Sequence, residues 1–312
     1  MDPDTVLGVV VDRCRGMNRD FVGYGRTPPV FDWPGGNRLA INLVVNYEEG
    51  SEYSYAFGDD RQENLGEWGV KQFPPGTRNL ANESFFEYGS RVGFWRLLDL
   101  FERHEVTATF GACAVALERN PAAARAIVEA GHEVNAHGYR WEEHFTMERE
   151  VERERIRLAV ESIRQTTGER PYGWYCRTAP SINTRALLVE EGGFVYDSDA
   201  YNDDVPYFVD VNGTQHVVVP YTGDVNDSHF WAAGGYETDF ATYLEDSFDV
   251  LYEESRRWPR MMSVGIHMRM LGRPGRIKGL DRFIRYANAR PGVWIATRLQ
   301  IANGFKAAMG ID

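Results

Sequence analysis

The chain has 312 residues, with 34 Lys and Arg against 46 Asp and Glu for a formal charge of −12. An apolar fraction of 43% with 13% aromatics provides for a sizeable core and excludes wholesale disorder, while a pI near 5.2 leaves no basic footprint for nucleic acid. Apolar runs such as Leu7 to Val11 and Leu43 to Val45 fall far short of the ~20 residues of a membrane span.

The opening residues Met1 to Asp4 carry two acids and no Lys or Arg, unlike the basic start of a secretory signal, so a cytoplasmic setting without a membrane partner is expected. Cys14, Cys113 and Cys176 are far apart and form no Cys-x-x-Cys; small buried thiols are expected rather than disulfides or a zinc-thiolate site.

No repeat or linker divides the chain, and a single domain over residues 1–312 is expected. Residues 1–37 are rich in Gly, Pro and Asp and read as an irregular N-terminal arm. Leu39 to Asn46 reads as a strand buried on both sides. The stretch 50–82 is too long for an ordinary connection, so a functional insertion near the site, a lid or an interface, is expected there.

Ser84 to Glu87 has the form of a capping box, and the spacing of Phe85, Tyr88, Val92, Trp95 and Leu98 predicts a helix to about His104. Further strands are predicted at Val106 to Ala112, Glu133 to Ala136, Tyr172 to Cys176, Phe194 to Asp197, Val217 to Val219, Met261 to Ile266 and Val293 to Ala296. Helices are predicted from Asn120-Pro121 to Gly131, Met147 to Gln165, Thr184 to Gly192, Phe240 to Arg257, Leu280 to Ala289 and at the C-terminus. Such alternation implies parallel pairing, and about seven or eight strands in one α/β domain favour a distorted (β/α) barrel over an open sheet.

In such a barrel the chemistry sits where strands run into loops. There the chain places Asn46-Tyr47-Glu48-Glu49-Gly50, Asn135 to Trp141 with His137, Cys176-Arg177-Thr178-Ala179-Pro180, Asp197-Ser198-Asp199 and Gly265-Ile266-His267-Met268-Arg269. Taken singly, these carry bland readings: adjacent acids are commonly a solvated loop, a lone His a structural residue, and Asp197 and Asp199 turn caps. Five polar groups at the same end of successive strands favour a site.

The order of these motifs resembles carbohydrate esterase family four, the polysaccharide or chitooligosaccharide deacetylases. The resemblance implies two acids after the first strand, a His-x-x-x-His, an Arg-led Pro motif, an Asp-x-Asp stretch and a late Leu-x-His. Two departures stand out: Glu48-Glu49 replaces a pair of Asp, and Trp141, which cannot ligate zinc, stands at the second metal-binding His. Both departures, together with phrases such as Asn18 to Gly25, Glu87 to Arg91, Gly173 to Tyr175, Asn183 to Arg185, Val219 to Thr222 and Gly272 to Arg276, look like the metal-independent allantoinase and cyclic-imidase branch of that superfamily. The stretch Cys176 to Arg185 differs from the allantoinase pattern, which leaves the substrate open.

The reading that follows is a hydrolase opening a small cyclic amide, imide or ureide without cofactor. Ring opening needs activated water and a proton for the departing nitrogen. Glu48 is the expected base; Glu49 is expected either to raise its pKa through like-charge repulsion or to hold the water or a substrate N–H as an acceptor, and His267 is the expected acid. Arg177, His137, Asn183, Asp199 and Arg269 would contact substrate, with Tyr47 and Trp141 as walls. The alternatives are a zinc-dependent N-deacetylase of an amino sugar, with Glu49 and His137 as metal ligands and His144 badly spaced for a third, and a noncatalytic ligand-binding barrel. The partners expected are a small-molecule substrate and, from the resemblance, further copies of the chain in a dimer or tetramer.

Overall fold

The strand Leu39–Tyr47 (β1) is the organising element. Alternate side chains of a strand face opposite sides. Leu39, Ile41, Leu43, Val45 and Tyr47 pack outward with Phe94, Leu97 and Phe101 in the main core, while Ala40, Asn42, Val44 and Asn46 lie on the opposite face. Every β1 residue is buried, the condition of a parallel strand covered on both faces.

The computed structural model describes residues 19–65, 73–231 and 239–311. The chain divides into two units, Met1–Val30 and Phe31–Asp312. In the first, the described residues form an irregular turn in which the Asp20 carboxylate accepts from the amides of Val22 and Gly23 at 2.8 and 3.0 Å. Cys14 lies outside the described residues; Cys113 and Cys176 are free and buried, as expected.

In the second unit the remaining strands are Thr109–Ala112 (β2), Glu133–Ala136 (β3), Gly173–Trp174 (β4), Tyr196–Asp197 (β5), Tyr207–Val211 (β6), Thr214–Val218 (β7), Arg260–His267 (β8) and Val293–Ile295 (β9). One sheet orders them β6-β7-β5-β4-β3-β2-β1-β8, with β9 also on β1. All pairs are parallel except the hairpin β6–β7. The segment after β7 comes back to β8 through an isolated parallel bridge between Asn226 and Gly265, and helix Arg298–Ala308 packs Ile301, Ala302 and Phe305 into a cluster with Ala40, Val217 and Met261. The result is the distorted (β/α) barrel expected from the sequence.

Several elements differ from expectation. Ser84 does not cap a helix: Leu80–Tyr88 starts earlier, with the Asn79 side chain accepting from Asn82 N–H, while the Ser84 hydroxyl donates back to the carbonyl of Ala81. The helix is not continuous to His104, because Gly89–Gly93 is a π-helical turn before Phe94–Arg103. Its glycines explain the geometry. A Cβ on Gly89 would overlap the Glu49 carboxylate, and one on Gly93 the carbonyl of Met268, so only glycine lets this turn press against both strand ends. Helix Ala114–Arg119 and strand β6 were not anticipated.

Candidate active site

The carboxylates of Glu48 and Glu49, just past β1, are buried. The Arg269 guanidinium, just past β8, lies between them, with Nη1 at 2.8 Å from Glu48 Oε2 and 3.4 Å from Glu49 Oε1. The Arg269 amide also donates to Glu49 Oε1 at 3.2 Å, and the Glu48 amide to Glu49 Oε2 at 3.1 Å. The guanidinium itself stacks over Phe86 at 4.4 Å and faces Trp141 at 5.5 Å.

Two imidazoles meet the other oxygen of Glu48. His137 Nε2 and His267 Nε2 each stand 3.5 Å from Glu48 Oε1. His137 Nδ1 faces the Tyr175 carbonyl at 2.8 Å and donates to it, so in the neutral ring Nε2 is an acceptor. His267 Nδ1 meets Asp227 Oδ1 at 2.6 Å, and the His267 amide donates to Asp227 Oδ2 at 2.7 Å. This buried aspartate fixes both the rotamer and the tautomer of His267.

The charges order the protonation states. Burial works against ionisation of Glu48, but the charges of Arg269 and His267 hold its carboxyl well below the usual range. Burial pushes Glu49 up to about 7, with Arg269 opposing and the Glu48 charge adding to the rise. The like-charge effect expected on Glu48 therefore falls on Glu49. Burial lowers the pKa of His267, yet Asp227 and Glu48 outweigh it and raise the imidazole to about 10. At neutral pH the pair is a carboxylate facing an imidazolium.

The remaining predicted residues are placed less directly. Arg177 turns toward the inserted segment: Nη1 bonds Glu63 Oε2 at 2.9 Å and the Trp141 carbonyl at 2.8 Å, and the guanidinium covers the Trp141 ring at 3.7 Å. Trp141 is thus walled by Arg177 and Arg269. Asp199 accepts from the Cys176 amide at 2.8 Å, holding the turn that carries Arg177; burial and the Asp197 charge raise it to about 7. Asn183 stands at the start of helix Thr184–Glu191 without a side-chain cap, and its Oδ1 accepts from Arg149 Nη1 at 3.4 Å rather than joining the Glu48 cluster. Tyr47 is buried against Phe94 with its hydroxyl on Ser90, a core position beneath the site.

Residues the sequence reading missed complete the arrangement. Tyr175 stacks on His137 with centroids 4.7 Å apart, and Tyr221 stacks on Tyr175 at 5.1 Å, forming an aromatic wall. Asp227 comes from a loop with no motif; its only signal is that a catalytic His needs an orienting acceptor. A cavity of about 280 Å³ lies beside Glu49, lined by Glu52, Phe86, Ser90, Arg119 and Asn120 among others but by neither Glu48 nor the two imidazoles.

Comparisons with known proteins place the chain among deacetylase-like proteins. The polysaccharide deacetylase family pattern matches residues 83–192. A Schizosaccharomyces pombe protein whose name assigns it, provisionally, to the polysaccharide deacetylases is 41% identical across 93% of this chain and 97% of its own length. Peptidoglycan deacetylase of Helicobacter pylori is 28% identical across 70% of this chain and 85% of its own. Among solved structures, PuuE allantoinase matches with a TM-score of 0.90 at 44% identity, covering 95% of this chain and 99% of that one.

Proposed function

The chain belongs to the polysaccharide deacetylase family, and we propose that it hydrolyses the carbon–nitrogen bond of a small cyclic amide, imide or ureide, using water activated by Glu48 and no metal. The observation that carries this reading is Arg269, whose cationic Nη1 lies within 3.4 Å of both carboxylates. A deacetylase metal would need a second His where Trp141 stands, and Arg269 already supplies a fixed positive charge to the Glu48 and Glu49 carboxylates that would face it. Among the described residues no three His, Cys, Asp or Glu side chains converge as metal ligands. The donor set does not fit zinc. Likeness to PuuE allantoinase supports a cyclic ureide or related ring as substrate class.

The steps follow from the protonation states. A water between Glu48 Oε1 and His137 Nε2 gives a proton to Glu48 as its oxygen attacks the ring carbonyl carbon. The developing oxyanion forms beside protonated His267, which then delivers its Nε2 proton to the departing nitrogen as the carbon–nitrogen bond breaks. Donation by His267 removes a positive charge from beside the now protonated Glu48, which keeps the proton on Glu48 until the carbon–nitrogen bond has broken. Return of the proton from Glu48 to His267 restores the starting state. Trp141, covered by Arg177 and Arg269, and the Tyr175–Tyr221 stack behind His137 surround the Glu48 cluster with aromatic groups that keep bulk water away.

The experiment is a screen of the purified protein against cyclic ureides, cyclic imides and N-acetylated amino sugars, with Glu48→Gln as control. Ring opening by the wild type and its loss in the variant support the reading. Turnover confined to acetylated sugars overturns it.

A further inference from the structure

Arg298 opens the last helix and is fully buried, yet its Nε, Nη1 and Nη2 have no partner in the protein. The guanidinium lies over Tyr221 at 4.5 Å and faces Tyr175 at 5.7 Å, inside the barrel under the aromatic wall of the site. Burial raises the Glu133 carboxyl above its ordinary value, with its hydrogen bonds and the Arg298 charge opposing the rise. The Glu133 oxygens are already taken by the hydroxyls of Tyr196 and Thr109 and the Leu299 amide.

The same interior holds other unpaired polar atoms. Asn42, Asn46, Asn135, Ser198 and Ser263 are buried, and Asn42 Oδ1, Asn46 Oδ1, both amide atoms of Asn135 and the two serine hydroxyls have no partner in the protein. Strand register sets Asn42 opposite Ser263 and aligns Asn46, Gly111 and Asn135 across three strands. A Cβ on Gly111 would stand 3.2 Å from Asn135 Oδ1 and 3.7 Å from Asn46 Oδ1, so both amide oxygens border one space. Buried polar groups of folded proteins are almost always paired, because each unpaired one costs the full desolvation penalty.

We propose that the barrel interior beneath the catalytic residues is a hydrated chamber in which Arg298 and the inward Asn and Ser side chains hold a cluster of ordered water molecules. The donor and acceptor inventory selects water over an anion. Guanidinium and amide nitrogens call for acceptors, but three amide oxygens call for donors, which an anion such as chloride does not have. Water serves both needs. The chamber reaches the site itself, since Asn46 pairs in register with His267.

The deciding experiment is a crystal structure of the full chain, at a resolution that shows ordered water, from crystals grown with sodium bromide. Waters bridging Arg298 to Asn135, Asn42 or Ser263, with no anomalous bromide signal in the chamber, are expected. A bromide peak on Arg298, or a direct Arg298–Glu133 ion pair in a dry interior, overturns the proposal. Gly111→Ala gives a second readout by thermal unfolding. Its methyl group displaces water that the amides need, so the melting temperature falls by several degrees. A rise would mean the methyl had filled a dry void and contradicts a hydrated chamber. Neither readout depends on the enzyme's substrate.

Discussion

Replacing Arg269 by Met keeps much of the side-chain volume but removes the cation held between two buried carboxylates. Breaking a buried ion pair from one side costs about 3–5 kcal/mol, because the remaining charge stays desolvated. For a chain of this size roughly 2 °C is lost per kcal/mol, which predicts a fall of about 6–10 °C near pH 8. The pH dependence is the sharper signature. The depressed carboxyl of Glu48 contributes stability above the ordinary value of 4.5 that is lost as pH falls through its folded value. Glu49, raised to about 7, does the reverse: its contribution is present below 4.5 and lost as pH rises through 7. Without Arg269 both carboxyls rise, and both then favour acid. The deficit of Arg269→Met should therefore be largest at pH 8 and shrink toward pH 5, where the two acids take up protons. Thermal unfolding of wild type and variant across that range measures it. A deficit that stays constant between pH 5 and 8, or no deficit at all, refutes the assigned charge arrangement.

Glu48→Gln should lower kcat on a cyclic substrate by on the order of 10² or more with KM little changed; near-normal turnover would move the base elsewhere. Asp227→Asn should bring the His267 titration down from about 10 toward its ordinary value and draw the alkaline limb of kcat/KM down with it, as read by imidazole NMR and a pH–rate profile. An unmoved titration would show that Asp227 does not set the acid. Trp141→His restores His-x-x-x-His spacing from His137, but Arg269 still occupies the space between the carboxylates. Measurable zinc uptake is predicted only for the double variant with Arg269→Ala; zinc bound by the single variant would contradict the role given to Arg269.

The sequence was most informative where one residue's role depended on its neighbours along the chain. Glu133–Ala136 is bounded as expected because an apolar-polar run ends between clear breakers, and the strand-end rule points to Glu48, His137 and His267, whose side chains the fold brings together. The β6–β7 hairpin escaped because Tyr207–Val211 is a half-exposed edge strand without the continuous apolar run of a buried one. The Ser84 capping box failed because Asn79, one turn upstream, satisfies the first amides instead. Inside the site, the protonation order was unreadable: it depends on Arg269 arriving from 220 residues away to lie on Glu48 and Glu49. Arg177 likewise looks free in sequence, and only the folded insertion brings Glu63 to it.

The central claim is that ring opening proceeds on Glu48, His267 and Arg269 with no metal ion. Its most direct measurement is turnover of a cyclic imide or ureide by protein passed through a strong chelator, with bound metal quantified in the same sample. Unchanged kcat/KM at substoichiometric metal is the predicted result. Activity lost on chelation and restored by added zinc would contradict the account and return the chain to the metal-dependent deacetylases.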